Sequence, residues 1–416
     1  MATDVSRPKS LYRDFQAVSR KRTSVCGRIF TASMGIHYMF PAGMRKALFE
    51  LWNLMMFAVL TDMLNDEDIA PLFFQVAHAM VAPPRMLWLP RQHRTVNSFT
   101  DDECLSNFRY NFGSDVTRLI SLFGVPATFK KINGGLVTGE EAMLILLARF
   151  AYPARWTALV YIFGGSPGFL SETMYLILHW MFEHAADTLL NNFSRYSIFF
   201  SEWASAIARK RGSYSGGVAM FIDGTLRKMC RPSRLQQECY SGHKRTHGLK
   251  YQSVWAPCRL ILDLFGPVSG RSHDMYLLRE SRVLHRLHMA CTLLGEIFRI
   301  YGDPAYPIHA FLLCAFRGNN LTAAQEQFNK ELNAARTSVE WAFGKVVKYM
   351  AQLDYKAAMK LHEAPLGKFY KLAVILTNYC HTCTYKSSVT GSFFECDPPS
   401  LEVYLRGLDG HGPWAP

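Results

Sequence analysis

The 416-residue chain reads as an α/β protein, with a mixed sheet flanked by helices and a mostly helical region ahead of it. Three observations predict this. Short apolar runs bounded by turn signals cluster after residue 217, the stretches between them have helical patterning, and the segment from about 138 to 184 carries capped helices and no strand signal. Hydrophobic residues make up 49% and charged residues 19%, ordinary for a globular protein, so wholesale disorder is excluded.

Residues 1–130 read as an accessory region, with a basic start followed by apolar stretches interrupted by proline. The most apolar early stretch, "ALFELWNLMMFAVLTDML", contains Glu50 and Asp62 and falls short of the roughly 20 apolar residues a membrane span needs, so no membrane partner is expected. The N-terminus lacks the apolar core of a secretory signal. Ten cysteines without regular spacing fit a reducing compartment, and Arg20-Lys21-Arg22 reads either as a nuclear address or as solvated surface.

A helical region spans 131–210. "TGEEAMLILLARFAYP" opens with Thr138 and Glu141 at capping-box spacing and stops at Pro153. "ARWTALVYIFGG" closes on Gly164-Gly165. In the next helix Ser166 caps, Pro167 takes the first position, and Leu170, Met174, Ile177, Leu178 and Met181 form one stripe. Helix, glycine turn and capped helix outline either a helix-turn-helix, with Ser171, Glu172 and Thr173 on an exposed face, or an ordinary helical hairpin.

Beyond the polar link "RKRGSYSGG", residues 211–386 alternate strand and helix, and 387–416 form a tail. "VAMFIDGT", "LKYQSVWAP" and "LILDLFGPV" read as strands, and "SHDMYLLRESRVLHRLHMACTLLGEIF" reads as one helix. "RIYGDPAYP" is a short strand ending in a carboxylate, and "TAAQEQFNKELNAARTSVEWAFGKVVKYMAQL" is a long helix.

Three acids stand out by position: Asp223 and Asp303 at the ends of apolar strands, and Glu340 on the long helix with Arg336 one turn before it. Converging carboxylates repel unless a cation sits among them. Hard Mg²⁺ or Mn²⁺ takes oxygen ligands, and two such ions about 4 Å apart are the usual device for opening a phosphodiester. Next to Asp223 lies a basic strip, Arg227, Lys228, Arg231, Arg234, Lys244, Arg245 and Lys250 with His243 interleaved, expected to hold a DNA backbone. The net charge of +13 agrees with a polyanionic partner. Weaker alternatives are a zinc site at Cys380, His381 and Cys383, and a hydrolase thiol at Cys104 or Cys239.

The stretches "FIDGT" with "CRP", "YSGHKRTHGLKYQSV", "GPVSGRSHD", "YGDPAYP" and "FNKELNAARTSVEWAFG" come in the order and approximate spacing of Harbinger-type DDE transposases and their domesticated nuclease relatives, which the chain resembles from about residue 100 onward. The resemblance implies a ribonuclease-H-like catalytic core and a divalent-metal DDE nuclease. Its catalytic and metal-binding triad would be Asp223, Asp303 and Glu340, with His273, Asp274 and Arg336 as accessory residues. It also implies double-stranded DNA at transposon ends as substrate, a nuclear location, a Myb-like DNA-binding partner and a homodimer cutting two ends. The competing expectation is a domesticated, non-catalytic DNA-binding or partner-recruiting protein with the same fold. Two places depart from the family pattern: "PCRL" puts Cys258 and Arg259 in a turn where a positive φ suits glycine, and "ELNAAR" replaces a small-residue stretch.

Overall fold

The structure is a computed structural model. It describes residues 88–132, 134–211, 217–361, 363–379 and 391–406, with Glu50 and Leu54; at 187, 211, 332–342, 391–392 and 406 it describes the backbone alone. Chain contacts divide the molecule into Met1–Leu87 and Trp88–Pro416, and the second unit is the one described below.

The helical layer begins with α1 (Asp101–Phe108) and α2 (Gly113–Leu122), followed by a small hairpin, β1 (Thr128–Lys130) with β2 (Leu136–Thr138). In α3 (Gly139–Ala151) the Thr138 hydroxyl accepts from Glu141 N, as the capping spacing predicts. The Glu141 carboxylate does not reach back to close the box and instead takes Arg91 Nη2 at 2.7 Å. Nearly every residue of α3 is buried, so it has no polar face. α4 (Trp156–Phe163) ends at Gly164, with φ +70°, where a side chain would run into the Pro90 carbonyl.

In α5 (Pro167–Leu189) Ser166 Oγ accepts from Phe169 N at 3.1 Å, and the Leu170, Met174, Ile177, Leu178 and Met181 stripe is buried. The expected exposed face at Ser171, Glu172 and Thr173 does not form. Thr173 is fully buried and donates to the Phe169 carbonyl at 2.8 Å, while Glu172 is held by Lys131 at 2.9 Å and by Ile132 N. A threonine one helical turn after Phe169 satisfies its hydroxyl on the helix itself, which lets it sit inside. α6 (Phe200–Arg211) then packs on the sheet.

The sheet is mixed. Its centre is β3 (Val218–Lys228); β4 (Tyr240–Ser241) folds back on the start of β5 (Thr246–Trp255), and β6 (Ile261–Ser269) lies beyond β5. β5 runs antiparallel to β3. The turn between β5 and β6 puts Arg259 at φ +74°, the left-handed conformation expected at that spot, without a glycine. The stretch read as one helix is two, α7 (Asp274–Ser281) and α8 (Val283–Leu294), broken at Arg282 with φ +51°. On the other side of β3, β7 (Arg299–Gly302) and then β8 (Leu312–Cys314) run parallel. The long helix α9 (Ala323–Tyr349) starts in a full capping box between Thr322 and Gln325. α10 (Leu366–Thr377) packs against α5, and α11 (Leu401–Arg406) follows. One buried core extends from Val96 to Leu405, across the expected boundaries near 130 and 210. Among the described residues no helix is long and apolar enough to cross a membrane.

Candidate active site

Alternation along β3 separates its side chains onto two faces. Asp223, Thr225 and Arg227 share one face with their partners Ser253, Tyr251 and Leu249 on β5; Gly224 and Leu226 share the other with Gln252 and Lys250. α9 covers the first face, where Phe343 packs edge-on against Trp255 and lies under the Arg227 guanidinium. α7 covers the second, where Gln252 Nε2 donates to Ser281 Oγ at 3.0 Å.

The last parallel pair between β3 and β7 is Ile222 with Gly302. The next residue on each strand is an aspartate, so Asp223 and Asp303 leave the same rim side by side. Asp223 is not at a strand tip as the sequence suggests, because β3 continues through Gly224 to Lys228 against β5. Asp223 Oδ1 accepts from Gly224 N at 2.9 Å, and Asp303 Oδ1 accepts from Ala305 N at 2.7 Å. Each carboxylate is thereby fixed by local backbone.

A third carboxylate comes from the α7 side. Asp274, the first residue of α7, takes Lys250 Nζ at 3.0 Å, and the same ammonium donates to the Ser272 carbonyl at 2.9 Å. Its Oδ1 lies where a side chain at residue 224 would point, so only glycine fits there. His273 is exposed at the N-cap and makes no capping hydrogen bond through its side chain.

Tyr306 packs beside this rim, with its backbone N donating to the Asp303 carbonyl at 3.0 Å, and sequence reasoning missed it. The ring is buried against Gly302. Burial first, and then the charges of Asp274, Asp223 and Asp303, push its phenol well above the usual tyrosine range. Cys314, next along this rim, has its thiol raised to about 11, chiefly by burial, with Asp303 adding and Arg317 opposing. The only sequence signal for Tyr306 is an aromatic residue set between Ala305 and Pro307 just after a carboxylate.

Glu340 and Arg336 lie on α9, and their side chains are outside the described residues. The helix around them is anchored at both ends: Phe328 packs on Tyr301 of β7, and Phe343 on Trp255 of β5. Glu340 stands one turn before Phe343, on the same side of the helix by spacing.

The basic strip divides. Arg227 is turned inward, with its guanidinium 4.9 Å from the Tyr370 ring centre and donating to Thr225 Oγ1, and Lys250 is spent on Asp274; neither faces a phosphate as expected. Lys228, Arg231, Arg234, His243, Lys244 and Arg245 are exposed, the last three at the tip of the β4–β5 hairpin. Arg231 Nε donates to Gln236.

Asp223 and Asp303 offer only oxygen atoms, which suits Mg²⁺ or Mn²⁺ and not zinc. Among the described residues no three His, Cys, Asp or Glu side chains are arranged to hold an ion. Cys380, His381 and Cys383 lie outside the described residues. Cys104 and Cys239 are buried, and burial pushes both thiols up, the reverse of an activated nucleophile.

Residues 222–378 match the family model described as a DDE superfamily endonuclease. The matched stretch opens one residue before Asp223 and takes in Asp303 and Glu340, so this layer of the chain is similar to DDE-type nucleases. No curated protein and no solved structure matches the chain.

Proposed function

We propose that the chain is a divalent-metal DNA endonuclease of the DDE type with a ribonuclease-H-like core, a Harbinger-like transposase that cuts and joins phosphodiester bonds at transposon ends. The observation that carries this reading is the placement of Asp223 and Asp303 directly after the last parallel pair of β3 and β7, on a sheet against which α9, the helix that includes residue 340, packs through Phe343. Asp223, Asp303 and Glu340 would hold two Mg²⁺ or Mn²⁺ ions. Bound there, such ions neutralise phosphate charge and activate water for hydrolysis.

The remaining residues support this chemistry without joining it. Lys250 pairs with Asp274 at 3.0 Å. Arg336, one turn before Glu340, is a candidate to steady it. The exposed Lys228, Arg231, His243, Lys244 and Arg245 are suited to a DNA backbone approaching along the β4–β5 hairpin. A nuclear location, a Myb-like partner that supplies sequence recognition and a homodimer that pairs two ends belong to the same reading.

Nicking of supercoiled plasmid by the purified full chain, with and without Mg²⁺ or Mn²⁺, tests it. Activity that requires metal and disappears in both Asp223→Ala and Glu340→Ala is the expected result. DNA binding indifferent to metal and to Asp223→Ala, with no cleavage, would establish the non-catalytic binding protein instead.

A further inference from the structure

Leu235 stands where nothing in the fold asks for a leucine. It is 56% exposed, and its backbone is left-handed, with φ +58°. That conformation strains an L side chain and suits glycine or asparagine. The residue is also the N-cap of the short helical turn Gln236–Cys239 and makes no capping hydrogen bond through its side chain, at a position where asparagine is favoured. Among the described non-glycine residues with a positive φ, Leu235 alone is apolar. Local strain of this kind, kept against every local preference, points to a use outside the fold.

The loop that presents it is braced. Met229 N donates to the His247 carbonyl at 3.0 Å and Cys230 N to the Met359 carbonyl at 2.8 Å, which fixes where the chain leaves β3. Arg231 Nε donates to Gln236 Oε1 at 2.9 Å across the loop, and Cys239 N donates to the Leu235 carbonyl at 3.1 Å. Gly270 lies so close to the Cys239 and Gly248 carbonyls that a Cβ there would stand 2.4 Å from each. Exposed Arg231 and Arg234 flank the leucine on the loop, and the hairpin that follows carries exposed His243, Lys244 and Arg245. The one acid of the loop, Glu238, is paired with Arg271 at 2.9 Å.

Cations draw a polyanion to this end of the sheet, but a leucine among them cannot bind phosphate. Against duplex DNA an apolar side chain can enter between base pairs, unstacking the step and kinking the helix. We propose that Leu235 is such a wedge, held out by its loop while the surrounding cations take the backbone, so that the protein favours DNA steps that open easily. The inference rests on the DNA endonuclease reading above. Lys228, at the end of β3 where this loop begins, lies five residues beyond Asp223. At strand rise that is about 17 Å, or about five base pairs of duplex, so the kink falls at about that distance from the cut.

Binding of the purified full chain is measured by fluorescence anisotropy, without divalent ions, to a short mixed-sequence duplex and to the same duplex with a central mismatch, which is easier to unstack. The wild type is expected to favour the mismatched duplex by about tenfold. Leu235→Met should keep that preference. Leu235→Asn should abolish it while melting at an unchanged or higher temperature, because asparagine suits the backbone and the cap. Lys244→Ala with Arg245→Ala should weaken binding to both duplexes alike and leave the preference in place. A wild type that binds both duplexes equally, or a Leu235→Asn protein that retains the preference, overturns the wedge and leaves the DNA reading standing. Loss of binding to both duplexes in Leu235→Asn, with a lowered melting temperature, identifies a structural leucine and also overturns the proposal. A wild type that binds neither duplex overturns the DNA reading and this inference together.

Discussion

Replacing Gly224 with alanine puts the rim geometry under direct strain. The added Cβ overlaps Asp274 Oδ1 and lies 3.7 Å from Lys250 Cε. Gly224 is in extended strand backbone, so the effect is steric and not conformational. To restore ordinary contact Asp274 must retreat by about 1 Å, which takes its 3.0 Å pair with Lys250 out of hydrogen-bonding range. That pair is partly buried, with side chains 18% and 29% exposed. Its loss falls between the value of a surface pair and that of a buried one, about 1–2 kcal/mol. Alanine in a strand recovers about 0.5–1 kcal/mol relative to glycine, so the net loss is about 1 kcal/mol, roughly 2 °C of melting temperature. Nicking should suffer far more, because a displacement of about 1 Å next to reacting groups costs on the order of tenfold to a hundredfold in rate. Thermal melting and plasmid nicking of Gly224→Ala check both numbers. Wild-type nicking would refute the steric argument, and a loss of several kcal/mol would show that residue 224 serves the core and not the rim.

Two further outcomes follow from the described contacts. Arg227→Lys, which loses planar stacking on Tyr370, should destabilise the protein by about 1–2 kcal/mol and leave the salt dependence of DNA binding unchanged, whereas Lys244→Ala with Arg245→Ala should leave melting unchanged and reduce the salt slope by about two; the opposite assignment in melting and salt-titrated binding would reverse the roles given to these cations. Burial raises the Tyr251 and Tyr370 phenols in the folded state, so their contribution to stability is present below the unfolded value near 10 and is lost as pH climbs through it toward the folded values; absorbance at 295 nm should show Tyr251→Phe and wild type ionising identically until circular dichroism reports unfolding, and one extra phenolate in the folded wild type near pH 10.5 would contradict this.

What the sequence reveals and what it hides have physical reasons at particular residues. The caps at Thr138, Ser166 and Thr322 are legible because a hydroxyl accepting from a free backbone N–H is a local event. The acids that follow the β3–β7 parallel pairing are legible because each comes straight after an apolar run. Asp223 is misread as a strand tip because Gly224 after an apolar run resembles a turn, when its purpose is room for a carboxylate 50 residues later. The break at Arg282 leaves no trace because a non-glycine residue takes the positive φ. Thr173 is misplaced because a polar residue on a helix is ordinarily outside, and here it bonds its own helix. Tyr306 is invisible because its burial against Gly302 is set by tertiary packing and leaves no pattern in the sequence.

The division of the basic strip follows from the same geometry. Read as a linear run, its seven Lys and Arg residues are interchangeable. Folded, most of the strip is a strand, a hairpin tip and a second strand, and helices pack on the stretches that carry Arg227 and Lys250, so these two cations go inside while Lys228, at the end of β3, stays exposed. A cation inside needs a partner. Arg227 faces α9 and α10 and finds the ring of Tyr370; Lys250 faces α7 and finds Asp274. The hairpin tip, where no helix covers the chain, is left to carry His243, Lys244 and Arg245 into solvent, where a polyanion can reach them.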